Sequence, residues 1–358
     1  MRLGILGLPQ SGKTTIFNAL TRGDAPTGSM IGGGRFEVHT GVVSVPDPRV
    51  EKLAALFKPR KTVYAQVTYA DIAGLEAASG KGELSGSLLA ELRQMDGLLL
   101  VVRCFEDDAL PHPAGSLDPR RDLSAMHAEL LLNDQITVER KIERLRDELR
   151  KGGARDKAQA TRELEFFERL NTALAAEQPL RDLDLSPDEG RALSGFGLLT
   201  QKPLLVVWNL GEGQSPPEIS DTHPHIAFVG LQGKIEMEIA QLPAEEAQVF
   251  LSEYGIPEPS LNRVIRLSYD LLGLLSFFTV GEDEVRAWTV RRGALAPEAA
   301  GEIHTDMLKG FIRAEVVHYD DLTALGGMTE ARAKGKLRLE GKDYVVKDGD
   351  ILTIRFNL

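Results

Sequence analysis

Apolar runs about one strand long, closed off by glycine, proline or charge, alternate with helical periodicity through the first hundred residues. Arg2 to Leu6 is such a run, and Thr14 to Leu20 behind it reads as a helix. Val42 to Val45 predicts a strand ending at Pro46-Asp47-Pro48, with a helix through Leu53 and Leu56. Thr62 to Tyr69 alternates as one strand and runs into Asp71-Ile72-Ala73-Gly74. Leu84 to Met95 predicts a helix, and Gly97 to Arg103, rich in leucine and valine, a strand buried on both faces. Pro203 to Trp208 and Ile226 to Val229 resume the pattern, and Ala244 to Tyr254 reads as helical. Strands alternating with helices in this way imply an α/β class with a parallel sheet.

Two stretches break the alternation. From Leu123 to Leu149 the chain is highly charged, with Ile142, Leu145 and Leu149 at helical spacing. Lys151-Gly152-Gly153 turns it into a second long helix from about Asp156 to Ala176, with Leu164, Phe167, Leu170 and Leu174 on one face. Two long helices joined by a short glycine turn predict an antiparallel hairpin inserted into the α/β domain. Ser186-Pro187-Asp188-Glu189 then has the N-cap, the first-turn proline and the capping-box glutamate of a helix start. Beyond Leu275 the pattern becomes short strands at Ala287–Val290, Gly310–Val317, Lys336–Leu339, Asp343–Val346 and Ile351–Phe356, with helices at Ala299–Leu308 and Thr329–Lys334. That is a small α+β module of its own.

The chemistry concentrates in the first strand-to-helix turn. Gly7-Leu8-Pro9-Gln10-Ser11-Gly12-Lys13-Thr14 fits G-x-x-x-x-G-K-[ST] at every fixed position, between a strand and a helix as the motif requires. Glycines let successive N–H groups curl around an anion, and the helix N-terminus adds partial positive charge. Lys13 is expected to reach the β- and γ-phosphates and Thr14 to ligate Mg²⁺. Asp71-x-x-Gly74 on a strand end is the expected second half of such a site, the aspartate holding Mg²⁺ through water and the glycine amide sensing the γ-phosphate. Asn209-Leu210-Gly211-Glu212 ends another strand. His112, between two prolines beyond the Gly97 to Arg103 strand, lies on the ligand-binding edge of such a sheet.

Composition narrows the classes. A formal net charge of -11 opposes an electrostatically driven DNA binder. The single cysteine, Cys104, excludes an internal disulfide framework, fits a cytoplasmic location, and in an apolar run reads as a buried core thiol. No segment approaches the roughly 18 apolar residues of a membrane span, and the first apolar run lacks a signal-peptide cleavage pattern.

Taken in order, the phosphate loop, Val45-Pro46-Asp47-Pro48-Arg49, Asp71-Ile72-Ala73-Gly74-Leu75, Val101 to Asp107, Lys202-Pro203, Asn209-x-x-Glu212, Phe277-Phe278-Thr279, Arg286-Ala287-Trp288-Thr289, Ile303-His304-Thr305-Asp306, Gly310 to Val316 and Leu339 to Tyr344 resemble the YchF, or Obg-like ATPase, family of TRAFAC P-loop proteins. The resemblance covers nearly the whole chain. It implies a G domain (residues 1–122 and 198–274), an inserted coiled-coil hairpin (123–197) and a C-terminal TGS domain of β-grasp type (275–358). It further implies a cytoplasmic nucleotide switch that prefers ATP to GTP and associates with ribosomes or other translation-associated protein or RNA. By position, Gln10, Ser11, Gly12, Lys13, Thr14 and Thr15 would bind nucleotide, with Asp71, Gly74, Asn209, Leu210 and Glu212. Thr14 and Asp71 would serve Mg²⁺. Leu75 stands where other P-loop relatives orient water with a glutamine, which leucine cannot do, so His112, matching a family histidine, is expected to act with Lys13 in catalysis.

This chain departs from the family at three places. Gln10 replaces an asparagine associated with potassium-assisted hydrolysis, so the resemblance does not carry a potassium dependence over. The glycine-rich stretch from Ser29 to His39 replaces the usual first switch, with Arg35 where its Mg²⁺-sensing threonine would be. Gly230-Leu231-Gln232-Gly233-Lys234 replaces the usual base loop. The expected activity is therefore slow, Mg²⁺-dependent hydrolysis of a nucleoside triphosphate. The alternatives are a nucleotide-gated binding module with negligible hydrolysis, a GTP-preferring translation-associated GTPase and, more distantly, a small-molecule kinase. Losing the N-K-x-D pattern at 209–212 favours adenine, with the Asn209 side chain expected to accept from the base amine. Because every phosphate and base motif precedes Leu275, the terminal module is expected to be separable from nucleotide binding.

Overall fold

The computed structural model describes residues 1–25, 38–72, 86–151, 156–218, 225–253 and 258–357. The chain divides into two units, Met1–Gly41 with Thr68–Leu261, and Val42–Val67 with Asn262–Leu358. β1 (Arg2–Leu6) leads through the phosphate loop to α1 (Lys13–Thr21). β2 (Val38–Ser44) carries the chain out to α2 (Pro48–Phe57) and β3 (Lys61–Val63) of the second unit, and β4 (Gln66–Ile72) brings it back. The single strand expected over Thr62 to Tyr69 is therefore two, interrupted at Tyr64-Ala65, and its halves enter different sheets.

The first unit continues with α3 (Gly86–Gln94), β5 (Gly97–Arg103), α4 (Pro119–Lys151), α5 (Lys157–Ala175), α6 (Pro187–Leu193), β6 (Leu204–Asn209), β7 (Ile226–Leu231), α7 (Gly233–Gln241) and α8 (Ala244–Glu253). Its sheet runs β2-β4-β1-β5-β6-β7. β1 lies parallel between β4 and β5, and β6 and β7 extend the sheet in parallel. Every residue of β5 and β6 is buried, as continuous leucine and valine require. Leu100, Val102 and Trp208 pack with Leu88, Leu92, Met126 and Leu130 from the covering helices. From β1 the chain order goes one way to β4 and the other to β5, and the carboxyl end of β1 at that reversal is where an open α/β sheet binds ligands.

α4 does two jobs along its 33 residues. Its first part, through Met126 and Leu130, belongs to the core over the sheet. Its later part, through Val138, Ile142 and Leu145, packs against Phe167, Leu170 and Leu174 of α5. Lys141–Glu163 and Arg146–Glu168, each at 2.7 Å, link the helices at the surface. The glycine turn expected at 152–153 lies outside the described residues. Ser186 and Glu189 form the reciprocal capping box on α6 that their spacing predicts. Among the described residues no helix is long and apolar enough to cross a membrane.

The second unit adds α9 (Ser260–Leu271), β8 (Leu274–Val280), β9 (Glu284–Arg291), α10 (Ala296–Ile303), α11 (Thr305–Lys309), β10 (Phe311–His318), α12 (Tyr319–Leu325), α13 (Met328–Ala333), β11 (Arg338–Glu340) and β12 (Asp350–Phe356). A mixed sheet runs β11-β10-β12-β8-β9-β3, with Ala296, Ala299 and Ala300 of α10 packed among Phe277, Val316 and Leu352. Residues 42–67, expected with the phosphate loop, are built into this unit instead. β3 pairs in parallel with β9 over Lys61 to Val63. Arg49 bonds Asp47 at 2.8 Å and Asp348 at 2.6 Å, with its guanidinium 5.0 Å from the Phe278 ring centre. The expected strand Asp343–Val346 is not formed: Val345 makes one isolated bridge to Leu295. The helix expected over 299–308 is two, broken at His304, whose extended backbone ends α10 and whose ring accepts from Asp306 N–H at 3.1 Å to cap α11.

Candidate functional site

The loop between β1 and α1 is shaped by two glycines that cannot be replaced without collision. A Cβ at Gly7 would lie 2.4 Å from the Val101 carbonyl oxygen and 2.6 Å from Ser11 Oγ. Gly12, at φ +89°, would put a Cβ 2.2 Å from Asn209 Nδ2. Lys13 is buried and spans the loop, its Nζ donating to the Leu8 carbonyl at 3.0 Å. Thr14 Oγ1 donates to Asp71 Oδ2 at 2.8 Å, and Asp71 is only 1% exposed at the end of β4. A hydroxyl and a carboxylate oxygen within contact are the hard donors that Mg²⁺ takes alongside water and phosphate, so these residues fit that ion. Thr15 follows, half-buried, in the first turn of α1.

Gln10 holds a left-handed backbone, φ +60°. Asparagine visits this region more readily than glutamine, so the departure from the family pattern falls at a conformationally demanding position.

Asn209 terminates β6 and its amide works as a clamp. Nδ2 donates to the Ser11 carbonyl at 3.0 Å, and Oδ1 accepts from Gly233 N–H at 3.0 Å. The carboxamide thus ties the phosphate loop to the start of α7. That corrects the expectation of an amide kept available for a base amine. Leu210 is buried, its N–H bonded to the Leu231 carbonyl and its side chain beside Gly230. Glu212 is exposed in the turn that Gln214 closes onto Gly211 N–H at 2.7 Å. Phe105, not foreseen as a site residue, sits beside Gly12 and Gly211. Arg103 fixes it, donating to the Phe105 and Leu110 carbonyls with its guanidinium 4.6 Å from the ring centre. Its signals in the sequence were its place two residues beyond a buried strand and its membership of the Val101 to Asp107 motif.

His112 lies against the same strand edge. Its Nε2 is 2.8 Å from Asp122 Oδ2 in α4. No spacing rule joins a loop histidine to a helix carboxylate ten residues on, so the pair was invisible in the sequence. Cys104 is buried beside them, as expected, and burial first and the Asp122 charge second push its thiol up to about 12. Gly74, Leu75 and Arg35 lie outside the described residues. The structure therefore brings together Ser11 to Thr14 with Asp71 and Asn209, and places Glu212 in solvent.

Sequence comparison agrees with this geometry. Residues 2–141 match a family model described as a 50S ribosome-binding GTPase, and residues 274–357 the YchF-GTPase C-terminal model, described as a protein of unknown function. The chain is 42% identical to the ribosome-binding ATPase YchF of Bacillus subtilis over 99% of both sequences. It is 35% identical to chicken Obg-like ATPase 1 over 100% of this chain and 92% of that one. The solved Schizosaccharomyces pombe YchF GTPase superposes with a TM-score of 0.87 at 33% identity, covering 99% of this chain and 97% of its own. A phosphate loop closed on an aspartate-bearing strand end, followed by a matching C-terminal unit in full-length register with these relatives, establishes that the chain belongs to the YchF, or Obg-like ATPase, family of P-loop nucleotide hydrolases.

Proposed function

We propose that this protein hydrolyses ATP in preference to GTP, with Mg²⁺, as a slow conformational switch that acts on the ribosome. The observation that carries the reading is the 2.8 Å contact between Thr14 Oγ1 and Asp71 at the floor of a glycine-built phosphate loop. Bound Mg²⁺ would neutralise charge shared between β- and γ-phosphate oxygens. Lys13 leaves the Leu8 carbonyl for phosphate oxygens, and the loop N–H groups hold those oxygens in line for attack by water. Thr14 and Asp71 would hold the ion. His112 orients the water that Leu75 cannot, and Leu210 gives the base an apolar wall. Glu212, one methylene longer than the aspartate of guanine-specific sites and solvent-facing here, is poorly placed to clamp guanine. Ribosome association is supported by the names of the bacterial relatives, and the hairpin and a TGS-type C-terminal unit offer its surfaces.

Lys13→Ala and Thr14→Ala are each expected to abolish Mg²⁺-dependent triphosphate binding in a titration with a fluorescent ATP analogue. Unchanged affinity in either would remove the site assignment. One observation favours the second reading, a nucleotide-gated module that scarcely hydrolyses: both ring nitrogens of His112 are already engaged.

A further inference from the structure

His112 is withdrawn by two hydrogen bonds that together use its whole ring. Nδ1 accepts from Ala114 N–H at 3.2 Å, and Nε2 meets Asp122 Oδ2 at 2.8 Å. A backbone N–H can only donate, so Nδ1 is bare and Nε2 carries the proton given to the carboxylate. The two side chains are 6% and 5% exposed. A ring held in this way has neither a lone pair nor an N–H to offer a water at the γ-phosphate. Asp122 is itself fixed, its Oδ1 accepting from Arg121 Nε and Nη2 at 3.0 and 2.8 Å and its N–H bonded to the Asp118 carbonyl.

The pair also lines a small cavity next to the phosphate loop. His112 and Asp122 line a cavity of about 10 Å³ together with Leu8, Pro9, Ser11 and Arg103. That is about the room of one water. Ser11 Oγ and Arg103 Nη1 are buried with no hydrogen-bond partner among the described residues. The imidazole thus shares the lining of one small cavity with Leu8, Pro9 and Ser11 of the loop that would hold phosphate.

Building on the reading of His112 as the group that orients the attacking water, we propose that Asp122 is a positioning residue that holds the imidazole in this withdrawn place, so that hydrolysis waits for the Asp122 bond to break. Asp122 rides on the first turn of α4, the helix whose later part builds the hairpin. A tilt of that helix against the sheet lengthens the His112 contact and frees the ring. Whatever grips the hairpin therefore acts directly on the residue that meets the water.

Single-turnover hydrolysis of radiolabelled ATP by the full chain with Mg²⁺ tests this. Asp122→Ala should raise the rate about tenfold, the factor withheld by a charge-assisted hydrogen bond of modest strength, with nucleotide affinity unchanged. The rise should vanish when His112 is already alanine. Asp122→Asn keeps the volume and an acceptor for Nε2–H but removes the charge. It should give a smaller rise, and it serves if the alanine variant does not fold. His112→Ala alone should be slower than wild type. Slowed His112→Ala beside unaccelerated Asp122 variants would overturn the latch and leave the role of His112 standing. Acceleration by Asp122→Ala that persists without His112 would overturn it too, since the effect would not pass through the ring. A His112→Ala rate equal to wild type would overturn the reading of His112 beneath it, and the latch with it.

Discussion

Gly12 leaves no space for a side chain because the Asn209 amide occupies the position a Cβ would take. The fixed glycine of the phosphate motif is therefore set as much by the clamp on Ser11 as by its left-handed φ. Cys104 shows the opposite kind of constraint, a potentially reactive group made inert by its surroundings. With the thiol held at about 12 by burial and the nearby Asp122 carboxylate, almost no thiolate forms at neutral or mildly alkaline pH. Iodoacetamide at pH ~8, half a unit below the free thiol's usual pKa, should leave the folded protein unlabelled by mass spectrometry and label it fully in denaturant. Rapid labelling of the native chain would show that Cys104 is not enclosed.

Among the elements, α4 is the one whose attachment matters most. Asp134, buried midway along it, accepts from Leu199 N–H, Thr200 N–H and Thr200 Oγ1 at 2.8, 2.7 and 2.6 Å. Burial pushes its pKa above the usual carboxylate range, against the pull of those three donors and of the Arg181 charge. Asp134→Ala would orphan three buried donors at a cost of about 3 kcal/mol, read as a lower urea midpoint. Asp134→Asn should rescue little, because its NH₂ must face a donor. Full stability in either variant would mean that the helix is held elsewhere. Periodicity made the elements of the first unit and the hairpin legible, since burial on two faces or one leaves its mark in local sequence. It failed at Tyr64-Ala65, where pairing of β3 with distant β9 decides the strand, and at Asp343–Val346, where turn residues resemble an edge strand. In the site, motif positions were legible because phosphate binding fixes their spacing. The His112–Asp122 pair and Phe105 were not, because the folding of a loop onto a helix start brings them into place.

For the whole molecule, the division into units changes what a truncation means. Residues 42–67 lie in sequence between the phosphate loop and Asp71, yet they fold with the C-terminal unit through β3 and Arg49. Deleting the chain from Leu275 onward would strip β3 of its partner strand and Arg49 of Asp348. The terminal module is thus not cleanly separable from the segment that leads into β4 and Asp71. The truncated protein should melt at a lower temperature and bind nucleotide more weakly than the full chain. Intact affinity and unchanged melting of the remainder would show that residues 42–67 hold their fold alone.

The nucleotide reading rests on the phosphate loop, the Thr14–Asp71 contact and a base site without a guanine clamp. Calorimetric titration of the full-length protein with ATP and GTP, with and without Mg²⁺, tests all three together. ATP should bind more tightly than GTP by a modest margin, both should weaken without Mg²⁺, and Thr14→Ala should remove that Mg²⁺ dependence. GTP binding tighter than ATP by about tenfold or more, a difference of roughly 1.4 kcal/mol, or affinity indifferent to Mg²⁺, would contradict the account.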